Sequence, residues 1–266
     1  MTGRRLVTAV AAIGAARLTA VVVDRTPLVK VPGWARTNFR GHEVTLTGGL
    51  ASTLGAAVGA AAAGDTRAVA LTLAAGAAGG YDDLVAPTRE TGADKGLRGH
   101  LAAIRAGRVS GGVVKVVVIG ASAWWAVGSR STSLPDRVVR TVAVAGGANL
   151  VNLLDLRPGR AGKVVTAVGL AATPGQSGPL ALAAAAAAAA VLPADLGEQV
   201  MLGDTGANAL GALLALRLAS GSSRLAAVTA VAVTGLVLAS ERVSFSSVIA
   251  RTGWLRAIDE LGRRPA

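Results

Sequence analysis

The sequence predicts an all-α polytopic membrane bundle of about nine transmembrane helices, and three observations carry that expectation. Of 266 residues, 52% are hydrophobic and only 16% charged, against roughly 25% charged in an ordinary soluble domain. The apolar residues are gathered into blocks almost free of charge, the pattern of membrane spans. The positive charge collects in alternate loops, as it does when one side of a bilayer retains Lys and Arg.

Nine apolar blocks are expected as spans: 6–23, 45–63, 68–81, 113–128, 138–154, 164–173, 179–192, 205–219 and 225–240. The first follows "MTGRR" and contains Arg17, and more spans follow it, so it reads as a retained span and not a cleaved leader. Several blocks fall short of the ~20 residues that cross a bilayer comfortably, so their helices extend into the flanking loops. The block "ALAAAAAAAA" is only weakly apolar and reads as a helix whose small side chains allow close packing. Residues 1–240 form the bundle. Residues 241–266 form a basic amphipathic tail, with Phe245, Val248, Leu255 and Ile258 set among arginines. The tail is expected to lie on the membrane surface, and a role for Arg251 or Arg256 toward a substrate is the alternative.

The loops 24–44, 82–112, 155–163 and 193–204, together with the tail, hold seventeen Lys and Arg, and the other side holds six. That asymmetry puts the C-terminus in the cytoplasm and the N-terminus outside a plasma membrane. It also accounts for the net charge of +12 without a nucleic-acid partner. The chain has no cysteine and two histidines, so thiol chemistry and a histidine-based metal centre are excluded.

Against this background the acids are informative. Asp82 and Asp83 close the third span, Asp155 closes the fifth, and Asp204 opens the eighth. All four fall at the cytoplasmic ends of spans, although the charge asymmetry was counted without them. Clustered carboxylates repel one another unless a cation joins them, and three of the four sit at helix C-termini, where the macrodipole is also negative. Oxygen ligands of this kind suit Mg²⁺, which takes one or two carboxylates plus substrate phosphates. Asn149 and Asn152 precede Asp155 at three-residue spacing, as amides in an otherwise apolar helix. Each signal has a plainer reading: a solvated loop start for the aspartate pair, an N-cap for Asp204, and interhelical hydrogen bonds for the amides. Acids lining an ion path through the membrane are a third possibility, but such acids belong near mid-membrane and not at one face.

Four blocks resemble the polyprenyl-phosphate N-acetylhexosamine-1-phosphate transferases, the family that includes phospho-N-acetylmuramoyl-pentapeptide transferase. "TLTGGLA" (45–51) is similar to the opening of the family's second span, and "GYDDL" to its aspartate pair. "NLVNLLD" fits N-x-x-N-x-x-D, and "LGDTGANALG" is close to L-G-D-T-G-S-x-x-L-G. "KGLRGH" (95–100) is a weaker fifth match, and the blocks stand in family order. The resemblance implies Mg²⁺-dependent transfer of a sugar-1-phosphate from a UDP-sugar to a polyprenyl phosphate such as undecaprenyl phosphate, in cell-envelope glycopolymer synthesis. It implies Asp204 as metal ligand. Asp82 and Asp83 would bind diphosphate and metal or deprotonate the lipid phosphate. Asn149, Asn152 and Asp155 would face the nucleotide, with Lys95 near the phosphates.

The chain also departs from the family. The lysine of D-D-x-x-K is Ala86, D-G-x-D-G becomes "DLRPG", and the histidine-rich loop before the last span is absent. These departures point away from muramoyl-pentapeptide as substrate and toward a divergent member. They keep open a second reading, an inactive relative that binds lipid phosphate or scaffolds wall-synthesis partners. A homodimer is among the expected assemblies, with no interface marked in the sequence.

Overall fold

A computed structural model describes residues 2–27, 33–84 and 111–264. The described residues are nearly all helical, and among them nine longer helices run in order: α1 (Thr2–Asp24), α2 (Thr47–Ala62), α3 (Thr66–Leu84), α4 (Gly111–Val127), α5 (Leu134–Leu154), α6 (Arg160–Ala171), α7 (Gly178–Leu196), α8 (Gly203–Ala219) and α9 (Ser223–Ser240). Two short helices, α10 (Phe245–Arg251) and α11 (Gly253–Glu260), form the tail. Each expected apolar block overlaps one of the nine.

Among the described residues, four helical segments are long and apolar enough to cross a membrane: Gly3–Asp24, Gly111–Arg130, Gly178–Leu196 and Ser223–Ser240. The others are too short or too charged. α6 has 12 residues, α3 carries Arg67 beside its aspartate pair, and α5 begins with Asp136, Arg137 and Arg140.

Burial separates the four by position. α1 and α9 are 22% buried and α4 28%, whereas α7 is 67% buried. The first three turn Leu6, Val10, Val116, Val117, Val228 and Val231 outward, which suits helices facing an apolar solvent. The alanine run of α7 is inside, as expected, because methyl-sized side chains let its neighbours come close. α8 lies at the centre and packs against α2, α3, α4, α5, α6, α7 and α9. Its crossing with α5 has no room for a side chain at Gly211, where a Cβ would stand 2.6 Å from the Gly147 carbonyl oxygen.

One feature was not expected. Inside the 24–44 loop, β1 (Ala35–Thr37) and β2 (Glu43–Thr45) form an antiparallel hairpin, and Thr45 bridges on to Val200 in the α7–α8 connection. The second apolar block therefore begins as strand and becomes helix only at Thr47. Strands of three residues show no alternation that a sequence pattern can detect. The hairpin is fastened by Glu198, whose fully buried side chain accepts a 2.6 Å hydrogen bond from Asn38 Nδ2 and lies 2.9 Å from His42 Nδ1 and 3.1 Å from Arg40 Nη1.

The tail does not hang free. Asp259 receives two hydrogen bonds from Arg160 at 2.7 and 2.9 Å and two from Arg263 at the same distances. Lys163 Nζ donates to the carbonyls of Ile258, Asp259 and Leu261 at 3.0, 2.6 and 3.0 Å, capping the end of α11. The hairpin, the 155–160 turn, the α7–α8 connection and the tail thus share one end of the bundle. Arg4 bonds the Ala63 carbonyl, and Arg5 bonds Gly175, at the other end.

Two outcomes follow from this packing. Gly211→Val overfills the α5–α8 crossing and lowers the melting temperature of the detergent-purified protein, at a cost of about 1–3 kcal/mol. Asp259→Asn unlatches the tail, seen as faster tryptic cutting after Arg251 and Arg256. Burial opposes ionisation of Asp259, but the Arg160 and Arg263 hydrogen bonds outweigh it and hold the carboxyl at about 2, below its ordinary 3.8. The latch is therefore fully present above pH 3.8 and is lost as pH falls through about 2.

Candidate active site at the start of α8

The four blocks "TLTGGLA", "GYDDL", "NLVNLLD" and "LGDTGANALG" meet at the first turn of α8. The reason can be followed residue by residue. Leu202 is buried at 1% exposure and anchors the turn. Gly203 has φ +58°, a left-handed conformation that favours glycine. A Cβ there would also stand 3.0 Å from Asp83 Oδ2. Gly206 faces Gly49 so closely that a Cβ would lie 2.8 Å from the Gly49 Cα. On α2, Gly48 and Gly49 admit the Met201 and Leu202 carbonyls, and on α3 Gly79 admits that of Asp204. Glycines on α2, α3 and α8 thus stand where backbones touch at the start of α8.

The first N–H groups of a helix lack partners within it. In α8 they are taken from another helix. Asp83 Oδ1 accepts from Asp204 N at 3.1 Å, and Asp83 Oδ2 accepts from Thr205 N at 2.9 Å and Thr205 Oγ1 at 2.7 Å. Arg36 on β1 in turn bonds the Asp83 carbonyl. The cap on α8 is thus Asp83 of α3, and Asp204 does not cap its own helix. Asp83 is committed to holding two helices together.

Asp82 and Asp204 stand differently. Both reach the ammonium of Lys115 on α4, Asp82 Oδ2 at 2.8 Å and Asp204 Oδ2 closer still. The three side chains are 14–27% exposed. Asp155 sits just beyond the end of α5. Burial raises its carboxyl well above the ordinary carboxylate range, and Asp195 and Asp204 push it further, while the Gly203 backbone favours the charged form. One of its oxygens is buried with no hydrogen-bond partner among the described residues. Asn149 and Asn152 are half-buried on the same helix, and their amides bond no described residue. Lys95, with the "KGLRGH" block, lies outside the described residues.

Sequence reasoning placed all four aspartates at one end but missed Lys115. The signal was present as a single lysine inside "GGVVKVVVIG", an ionisable group in an apolar run that needs a partner. It also missed Asp195 and Glu198, which sit in the one expected cytoplasmic loop with no positive charge.

Among the described residues, no three His, Cys, Asp or Glu side chains form a metal-binding group. Two carboxylates converging on one cation nevertheless fit Mg²⁺, because that ion needs only one or two carboxylates when phosphates complete its shell. Below the site, an apolar groove of about 330 Å³ runs between α2 and α3 from Thr205, lined by Leu50, Leu54, Leu73 and Leu84 with Trp34 at its rim. No family model matches the chain, and no curated protein matches it. The family resemblance rests on the four blocks and on where they meet.

Asp83→Ala removes the acceptor for three donors at the start of α8. The expected loss is about 2–4 kcal/mol, read as a fall in melting temperature. Thr205→Val removes one donor, and its loss is expected to be about 1 kcal/mol.

Proposed function

We propose that the chain transfers a sugar-1-phosphate from a UDP-sugar to a polyprenyl phosphate at the cytoplasmic face of the plasma membrane. In this reading all nine longer helices cross or enter the bilayer, with the N-terminus outside and the tail inside. The observation that carries the proposal is the Asp82–Lys115–Asp204 cluster. Side chains from three helices and two of the family-like blocks gather two acids and a cation at one end of the bundle. The apolar groove beside Thr205 suits the lipid chain of the acceptor.

The chemistry is an in-line displacement. An oxygen of the lipid phosphate bonds to the β-phosphorus, the bond from that phosphorus to the bridging oxygen breaks, and UMP leaves with the electron pair. Asp82 and Asp204 would hold Mg²⁺, which offsets the charge on the diphosphate and on the leaving UMP. Lys115 then turns its ammonium from the carboxylates to a phosphate oxygen. Asp82 would take a proton from the lipid phosphate, because Asp83 is engaged by α8. The amides of Asn149 and Asn152 supply hydrogen bonds to the nucleotide, and Lys95 a positive charge near the phosphates.

Lys115 also favours a second reading. Its ammonium already bridges the two carboxylates, as a structural ion pair does in a relative that binds lipid phosphate without turning it over.

Exchange of labelled UMP into a panel of UDP-sugars, with undecaprenyl phosphate and Mg²⁺, decides between them. The transferase incorporates label into one donor, and Asp204→Asn lowers the rate by about a hundredfold or more. Protein that retains lipid phosphate but exchanges no donor sinks the transferase and leaves the binding relative.

A further inference from the structure

A chamber of opposite charge lies at the same end of the bundle as the acidic site. Between the tail, the hairpin and the 155–160 turn there is an open basin of about 510 Å³ with six arginines in its wall, against Asp259 and Glu260. Arg160 and Arg263 are tied to Asp259, and Arg40 stands 3.1 Å from Glu198. Arg157, Arg256 and Arg264 meet no carboxylate among the described residues. Arg157 lies over the Phe39 ring at 3.9 Å, half-buried, and is held there by stacking and not by an ion pair. Burial, with Arg160 and Arg263 close by, pulls its guanidinium below the usual value. The basin therefore holds positive potential that the protein does not neutralise.

Its depth is set by α11. Residues 256, 259, 260 and 263 turn one face of that helix and its end to the basin. The opposite face leaves Trp254, Ile258 and Leu261 exposed by 67, 56 and 69%. An amphipathic helix of this kind settles at the boundary between headgroups and acyl chains, which puts the arginines level with phosphate. Guanidinium forks match phosphate oxygens two at a time, which an ammonium cannot do.

We propose that this basin is a phosphate-binding site, separate from the acidic cluster, which takes the phosphate of an anionic ligand at headgroup depth through Arg157, Arg256 and Arg264. The site stands whether or not the acidic cluster is catalytic.

The test uses the full-length chain in detergent, with two probes: phosphatidylglycerol against phosphatidylcholine, followed by native mass spectrometry, and inorganic pyrophosphate, followed by calorimetry. Wild type is expected to retain one probe selectively. Arg157→Gln with Arg256→Gln is expected to weaken that binding by about tenfold or more. The Lys versions of both substitutions are expected to restore only part of it. Arg251→Gln, outside the basin, and Asp204→Asn, in the acidic cluster, leave it unchanged. Selective loss of phosphatidylglycerol assigns the phosphate to a lipid headgroup, and selective loss of pyrophosphate to a soluble ligand. Binding of both probes by the double variant at wild-type strength, or of neither by wild type, overturns the proposal. An equal loss with Arg251→Gln shows only diffuse charge and overturns it as well.

Discussion

The bond on which the rest of the site depends is the one from Asp83 to the start of α8. A helix that begins in the middle of a bundle has backbone donors that neither water nor its own carbonyls satisfy. Here a carboxylate from α3 meets two of them and the Thr205 hydroxyl as well. Charge and dipole agree in sign, since the α8 N-terminus is positive and the α3 C-terminus needs relief from its own negative end. Once α8 starts at that point, its neighbours have little freedom. Gly49, Gly79 and Gly206 must be bare for the backbones to approach, and Asp82, one residue from Asp83, is turned to Lys115 with Asp204. Two adjacent aspartates thus have different partners, one the start of α8 and the other Lys115.

Much of this was legible. The helical class, a helix under each of the nine blocks and the shared end of the four aspartates followed from apolar runs, loop charge and the place of each acid at a helix terminus. The packing role of the alanine run followed from residue size. What was not legible had long-range causes. A pattern along one chain shows Asp204 at a helix start and assigns it the cap, because N-caps are usually local, whereas the actual cap arrives from 121 positions away. Lys115 was hidden for the same reason, since its partners lie 33 and 89 residues off. The hairpin was too short to alternate. Among the described residues, the division between four helices long and apolar enough to cross a membrane and five shorter or more charged ones depends on where charges fall within helices, which the blocks alone had trimmed away.

The arginine basin shares a wall with a smaller acidic cavity. Phe39 and Arg157 border both the arginine basin and a smaller cavity of about 190 Å³ that contains Asp155, Asp195 and Glu198. The turn "DLRPG" makes this possible: Asp155 faces inward to α8 while Arg157, two residues on, stacks outward on Phe39. Pro158 accepts a 2.8 Å hydrogen bond from Arg263 at its carbonyl, so the tail holds the turn. Against D-G-x-D-G, Leu156 stands for the first glycine and Pro158 for the second aspartate. Arg157 stacks on Phe39 of the hairpin, and the Pro158 carbonyl binds Arg263 of the tail. Because the tail contributes Arg256 and Arg263 to the basin, the loop and the tail act as one surface. An anion drawn to that surface meets Phe39 and Arg157, which also line the cavity of Asp155, Asp195 and Glu198.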